Sequence, residues 1–248
     1  RFPDGVHGFS FYEKNCPVHR PEWVHTAPVW SEGNQRTMQF CLANDLPTLL
    51  WAANLAVLEF HTSLSLAKNV LQPSFLAFDL DPGPPADVIN CCEVALWVRQ
   101  IFNELGMQSF AKTSGSKGLQ VYVPLNTKVS YDQTKPFAHA LAQMLERQYP
   151  DKVTSVMKKS LRPKKVFVDW SQNDDHKTTV CVYSLRAKDR PTVSTPVKWE
   201  EVEEAFKKRD VSKLTFDYDQ VLKRVDKFGD LFEPVLKLKQ KLPQPVEA

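Results

Sequence analysis

Several features common in proteins of this size are missing here. No apolar run approaches the roughly 20 residues needed to span a bilayer. The N-terminus, Arg1-Phe2-Pro3-Asp4-Gly5, lacks the charged-then-apolar layout of a secretory signal. Together these absences predict a cytosolic protein with no membrane partner. Cysteine is sparse and odd in number: Cys16, Cys41, Cys91, Cys92 and Cys181. Without a Cys-x-x-Cys pair, this set argues against a disulfide framework and a zinc site, so the thiols are expected to be reduced and structural. Charge of one sign is not in excess either. A net charge of +3 does not demand a nucleic-acid partner, but it leaves room for a local basic groove. Internal repeats and Gly/Ser linkers are absent, which favours one body over several.

The rest of the chain is organised around Phe75-Leu-Ala-Phe-Asp-Leu-Asp81, followed at once by Pro82 and Gly83. This apolar run ends in two carboxylates, and a strand points residues i and i+2 to the same face, so Asp79 and Asp81 should lie side by side. Pro82 and Gly83 take the chain out of the sheet just after the acids. Like charges at the end of a buried strand repel, and a divalent cation between them keeps both ionised. The plainer alternative is ordinary Asp-Pro-Gly turn chemistry.

Residues 1–40 show no helical period and read as short strands and loops; Phe11-Tyr12-Glu13-Lys14 sets two aromatics beside a lysine. The pair reads either as one core and one surface aromatic, or as a platform for nucleobases with a phosphate-contacting lysine. Asn44 or Asp45 caps a helix carrying Leu49, Leu50, Ala53, Ala56 and Val57, which runs into Leu58-Glu59-Phe60-His61. His61 would then stand at a helix end. Residues 86–105 form a second helix with Val88, Cys92, Ala95 and Phe102 inward and Gly106 as its stop. Lys112-Thr-Ser-Gly-Ser-Lys-Gly118, between two strands, can aim N–H groups, a hydroxyl and a cation at phosphate oxygens, although its spacing is not that of a P-loop, and it reads equally as a plain hairpin loop. Thr134 is expected to cap the next helix, with Phe137, Leu141, Met144 and Leu145 inward. A basic cluster, Lys158, Lys159, Arg162, Lys164 and Lys165, leads into Val166-Phe-Val-Asp169-Trp, where a second apolar run ends in a carboxylate. If the two strands are neighbours, Asp79, Asp81 and Asp169 converge. From Thr195 onward the pattern is helical.

Three carboxylates, a Ser/Lys/Gly loop and a basic approach are what metal-dependent, in-line nucleotidyl transfer needs. An aspartyl-phosphate phosphatase would want Thr or Val two places after the second acid, where Gly83 stands. Phe78-Asp-Leu-Asp-Pro-Gly83, Thr113-Ser-Gly-Ser-Lys-Gly-Leu119 and Val166-Phe-Val-Asp-Trp-Ser-Gln-Asn173, in this order, closely resemble the polymerase domain of bacterial ligase D. That domain belongs to the archaeo-eukaryotic primase superfamily and serves non-homologous end joining. The stretches Leu58-Glu-Phe-His61, Lys159-Ser-Leu-Arg162 and Lys177-Thr-Thr179 through Tyr183-Ser-Leu-Arg186 agree with it, and the resemblance runs to about Asp230.

The resemblance implies an α/β (α+β) primase-polymerase fold over residues 1–230, with a central mixed or antiparallel sheet flanked by helices and a C-terminal helical tail over 231–248. It implies that Asp79, Asp81 and Asp169 are catalytic acids holding two divalent cations, manganese or magnesium. Ser114, Lys117 and Arg186 would bind the triphosphate, with His61, Gln120, Arg162 and Gln172 near the nucleotide or its metals. Phe11, Tyr12 and Lys14 would meet the template. The implied substrates are ribo- or deoxynucleoside triphosphates and DNA ends or gaps bearing a 5′-phosphate; the implied partners are ligase and nuclease modules and the end-binding protein Ku, in a cytoplasmic, nucleoid-associated setting. Two departures stand out. Gln120 replaces the family's usual histidine, and the sequence begins after the lysines with which the family grips the 5′-phosphate. Rival readings are a primase starting chains de novo and a DNA-end binding module whose catalysis has lapsed.

Overall fold

The computed structural model describes residues 1–243. An irregular stretch precedes the hairpin β1 (Thr26–Ser31) and β2 (Arg36–Cys41) and the helix α1 (Leu46–Asn54). Short strands β3 (His61–Thr62), β4 (Ser65–Leu66) and β5 (Asn69–Pro73) lead into β6 (Phe75–Pro82) and α2 (Val88–Glu104). A second hairpin, β7 (Phe110–Thr113) and β8 (Leu119–Pro124), is followed by α3 (Tyr131–Gln148), β9 (Val153–Thr154) and β10 (Val166–Asp169). Four short strands, β11 (Thr179–Val180), β12 (Leu185–Arg186), β13 (Thr192–Val193) and β14 (Pro196–Val197), precede α4 (Trp199–Lys208), α5 (Tyr218–Phe228) and α6 (Glu233–Lys237).

The central sheet runs β14-β7-β8-β6-β10-β9, antiparallel except for the parallel β10–β9 pair. This mixed sheet with helices packed on it is the expected architecture. Strand alternation then decides which side chains go where. Leu76, Phe78 and Leu80 of β6 join the core with Val88, Cys92, Ala95, Val98 and Phe102 of α2, Val121 and Val123 of β8, and Leu141 and Leu145 of α3. Each large apolar side chain buried there contributes about 1.5–3 kcal/mol. The opposite face of β6 carries Phe75 and Ala77, which pack with Tyr122 and Phe232, and then by the same alternation Asp79 and Asp81. The acids therefore face away from α2.

Some local expectations are corrected. Asp45 does cap α1, accepting the Thr48 N–H, and Pro47 sits in its first turn. The helix stops at Asn54, however, and Ala56 turns the chain at φ 58°, so Ala56 and Val57 lie outside it. Its buried residues are Thr48 and Ala52, while Leu49 and Leu50 are exposed. His61 is consequently not a helix-end residue; it sits on β3 opposite Val180 of β11. Helix α3 starts earlier than Thr134 because Gln133 accepts the Ser130 N–H at 3.0 Å, a capping interaction that outranks the threonine. Thr134 and Pro136 lie inside the helix and Met144 is exposed.

The cysteines are not all reduced. Cys16 and Cys41 form a disulfide, with Cα atoms 5.3 Å apart. The Cys16 N–H donates to the Gln39 carbonyl, and Asn15 Oδ1 accepts the Gln39 N–H, so the irregular stretch runs alongside β2. That approach is tertiary, and no Cys spacing could announce it. Cys91 and Cys92 are buried free thiols, pushed above the ordinary thiol range by burial.

The stretch read as a tail from 231 packs on the same body: Phe232 and Val235 are buried against Phe75, Ala77 and Tyr122, and Gln240 bonds to Gln108, Pro124 and Leu125. Residues 244–248 of that tail lie outside the described residues. No helix among the described residues is long and apolar enough to cross a membrane.

Candidate active site

Antiparallel pairing of β10 with β6 sets Asp169 directly opposite Asp79, and Asp81 stands two residues further along β6. The convergence expected of the three acids follows from this register. Asp79 is half-buried, and its carboxyl is pushed up to about 7, first by the loss of hydration and then by the charges of Asp81 and Asp169; Gln120 and the charge of Lys112 oppose the rise. Asp81 is raised too, by burial and then by Asp169, against Arg162 and Arg186. Asp169 is tied down at both oxygens: Oδ1 accepts from the Ser171 N–H at 2.9 Å and the Ser171 hydroxyl at 2.6 Å, and Oδ2 accepts from Gln172 Nε2 at 2.8 Å.

The β7–β8 hairpin brings the polar loop to these acids. Ser114 Oγ accepts the N–H groups of Ser116 and Gly118 at 3.2 and 3.1 Å, which rounds the loop into a tight curve. Two glycines are required by close approach. Gly115 has φ +66°, and a Cβ there would meet Arg186 Cγ and Ser194 N at 2.8 Å; a Cβ on Gly118 would lie 2.3 Å from the Leu80 carbonyl oxygen. Arg186 fastens the loop from the far side, donating from Nη1 to the Ser114 carbonyl at 2.7 Å while its Nε lies 3.1 Å from Glu59 Oε1.

A bay of about 300 Å³ results, lined by Asp79, Asp81, Ser114, Lys117, Gln120, His61, Gln172 and Arg186. Arg162 stands beside it, with Nη1 3.8 Å from Asp81 Oδ2 and its guanidinium 3.7 Å over the Phe167 ring. Phe11, Tyr12 and Lys14 line an adjoining cavity of about 410 Å³ that shares His61 and Thr178 with the bay. Neither Phe11 nor Tyr12 is a core residue; both are exposed, Phe11 stacks on Phe9 at 5.7 Å, and Tyr12 meets the edge of His61 at 5.3 Å and hydrogen-bonds Thr178. Lys14 Nζ donates to the His176 carbonyl at 2.8 Å.

Sequence reasoning assigned no role to Glu59, Lys112 or Thr179, although each lies within a segment it singled out. Glu59 lies 3.3 Å from His61 Nε2 and accepts the Ala187 N–H at 3.0 Å. Burial would raise its carboxyl, but the His61 hydrogen bond, the Ala187 N–H and Arg186 outweigh that and hold it down at about 2, against an ordinary 4.5. A depressed carboxylate stabilises the fold above its unfolded value and loses that contribution as pH falls through the folded one. The stability advantage of the wild type over Glu59→Gln should thus shrink between pH 4.5 and about 2, as melting curves of both proteins across that range would show.

Carboxylate oxygens from two strands are the donors that hard divalent cations take. Asp81 and Asp169 repel charge on Asp79, and Asp169 repels charge on Asp81, a strain that a cation would relieve, so the residues present fit one. Their ligand atoms do not all lie within 4.8 Å of one another; among the described residues that spacing is met by Asp174, Asp175 and His176, where Lys135 already pairs with Asp174.

Fold and site together define an α/β domain whose paired acidic strands face a tight Ser/Lys/Gly hairpin loop. The family model for the LigD primase-polymerase domain matches residues 1–232, and the chain belongs to that family. It is 38% identical over 237 residues to the multifunctional non-homologous end joining protein LigD of Mycolicibacterium smegmatis, covering 95% of this chain and 30% of that protein. The bifunctional LigD of Bacillus subtilis is 30% identical over 92% of this chain and 36% of its own length, so the chain spans about a third of these relatives. Among solved structures, the polymerase domain of Mycobacterium tuberculosis ligase D in complex with DNA superposes with a TM-score of 0.85 at 38% identity, over 97% of this chain and 84% of that one.

Proposed function

We propose that the chain is a metal-dependent, template-directed nucleotidyltransferase that adds ribo- or deoxyribonucleotides to DNA 3′ ends at gaps or breaks during non-homologous end joining. The observation that carries this reading is the register that sets Asp169 against Asp79, beside a loop gripped by Arg186. Asp79, Asp81 and Asp169 would hold two divalent cations, manganese or magnesium, as in-line nucleotidyl transfer requires. When bound, the cations would acidify the attacking hydroxyl and neutralise charge on the leaving pyrophosphate.

The protein's own groups do the rest. Ser114, Lys117 and Arg186 bind the triphosphate, with N–H groups and cations supplying charge-assisted hydrogen bonds. His61 and Gln172 border the nucleotide, and Arg162, rigid on Phe167, offsets the charge of Asp81. Phe11 and Tyr12 offer aromatic surface to an unpaired template base and Lys14 adds positive charge. The DNA-bound state of the mycobacterial relative supports DNA as substrate. Ligase and nuclease modules and Ku are partners in keeping with the end-joining names of the relatives, and a nucleoid-associated cytoplasmic location accords with them.

The test is primer extension on a short gapped DNA with a 5′-phosphate, using each ribo- and deoxynucleoside triphosphate with manganese, magnesium or neither. Template-matched addition that requires a metal is expected. DNA binding without addition under any metal would replace this reading with that of an end-binding module.

A further inference from the structure

The register of the central sheet sets four polar side chains in one row across it. Lys112 of β7 lies opposite Gln120 of β8, Gln120 opposite Asp79 of β6, and Asp79 opposite Asp169 of β10. Directly opposed residues on antiparallel strands share a face at about 5 Å, so the row is contiguous. Its two aspartates already have a role; Lys112 has none. Its side chain is 0% exposed. Burying an ammonium is costly unless its donors are met; two of the three are met here, and burial lowers the group to about 7. Nζ donates to Gln120 Oε1 at 2.5 Å and to Ser194 Oγ at 2.6 Å, and it stands 5.5 Å from the centre of the Tyr122 ring.

Gln120 receives this arrangement. Its Oε1 accepts from Lys112 and, at 3.1 Å, from the Tyr122 hydroxyl, which uses both lone pairs. Its Nε2 donates to Thr179 Oγ1 at 2.9 Å. With Lys112 protonated, turning the amide over would press its NH₂ against the ammonium and lose these acceptor bonds, so the charged lysine selects one orientation. In that orientation Nε2 has a second hydrogen left, on the side of the acid bay that Gln120 lines with Asp79.

We propose that Lys112 is a positioning residue: together with Tyr122 it locks the Gln120 amide so that its NH₂ faces Asp79 and holds that carboxylate in its working orientation. The proposal rests on the nucleotidyl-transfer reading above. Tyr122 and Thr179 complete the lock, Tyr122 from the buried side and Thr179 from the wall of the bay.

Three variants test it. Gln120→Glu keeps the shape and the acceptors for Lys112 and Tyr122 but turns the donor facing Asp79 into an acceptor. Lys112→Met removes the lock and leaves Gln120, and Tyr122→Phe removes one hydroxyl. Each is measured by extension kinetics, by manganese binding from loss of the free-ion paramagnetic resonance signal, and by the side-chain amide signals in ¹H–¹⁵N spectra. Wild type should show one glutamine NH₂ pair protected from solvent exchange, lost in Lys112→Met together with part of the manganese affinity. In Gln120→Glu and Lys112→Met, kcat should fall about tenfold or more while KM for the nucleotide moves less, with a smaller loss in Tyr122→Phe. Folded Gln120→Glu and Tyr122→Phe proteins with wild-type kcat would overturn the proposal, and these two decide it should Lys112→Met fail to fold. A wild type that neither extends primers nor binds manganese would instead sink the nucleotidyl-transfer reading and take this proposal with it.

Discussion

Asp169→Ala is expected to lower metal-dependent extension by about a thousandfold or more, equivalent to about 4 kcal/mol of transition-state stabilisation. The residue contributes a carboxylate from a strand other than the one bearing Asp79 and Asp81, so no neighbour can replace it. Its removal should not unfold the protein. The alanine loses the acceptor that caps the turn at Ser171, a cost of about 1 kcal/mol, but it also relieves charge that pushes Asp79 and Asp81 upward. A melting temperature near that of wild type, beside lost extension, separates chemistry from folding. Asp169→Asn is the sharper companion, because it keeps an oxygen for Ser171 and the shape of the side chain while removing the charge and the acceptor for Gln172. Near-normal extension by the asparagine protein would mean that the carboxylate holds no catalytic cation.

Arg186→Ala should cost about a hundredfold in kcat/KM for the nucleotide, or about 3 kcal/mol, from loss of a charge-assisted contact and of the loop's anchor. Two consequences follow from its position. The Ser114 carbonyl loses its donor at 2.7 Å, so the phosphate-type loop loosens, and Glu59 loses its cation at 3.1 Å, so its carboxylate keeps only His61 and the Ala187 N–H. Arg186→Lys should recover little. A single ammonium cannot reach the Ser114 carbonyl and Glu59 together, whereas the guanidinium fork spans both. Steady-state kinetics at varied nucleotide concentration decide the matter: recovery of most activity by lysine would show that charge alone matters and that bridging does not.

Much of the site was legible before any fold was known, and the reason is local. Asp79 and Asp81 share a face because a strand has a period of two, and Pro82-Gly83 ends the strand where the acids need an open edge. Ser114 to Gly118 reads as a phosphate-type loop because small residues, a hydroxyl and a lysine stand between two alternating runs, although the structure spends the Ser116 and Gly118 N–H groups on Ser114 Oγ. Helix α2 was equally plain, since Val88, Cys92, Ala95 and Phe102 repeat at helical spacing and Gly106 stops them. Weaker local signals misled. Leu49 and Leu50 suggested a buried stripe that α1 does not have, and Thr134 looked like a cap although the Ser130–Gln133 pair takes that role.

By itself the sequence determined the acidic strand ends, the polar loop, the α/β order of elements and the family to which the chain belongs. These depend on contacts between residues a few positions apart, or on motifs whose order along the chain is itself the signal. Only the tertiary structure decided that β10 lies against β6 in the register that opposes Asp169 to Asp79, and that Cys16 reaches Cys41. It alone carried Lys112 beneath the site, through β7 and β8, to the amide that faces the acids. Strand order and register are set by how whole faces bury against α2 and α3, a sum over distant residues that no local spacing contains.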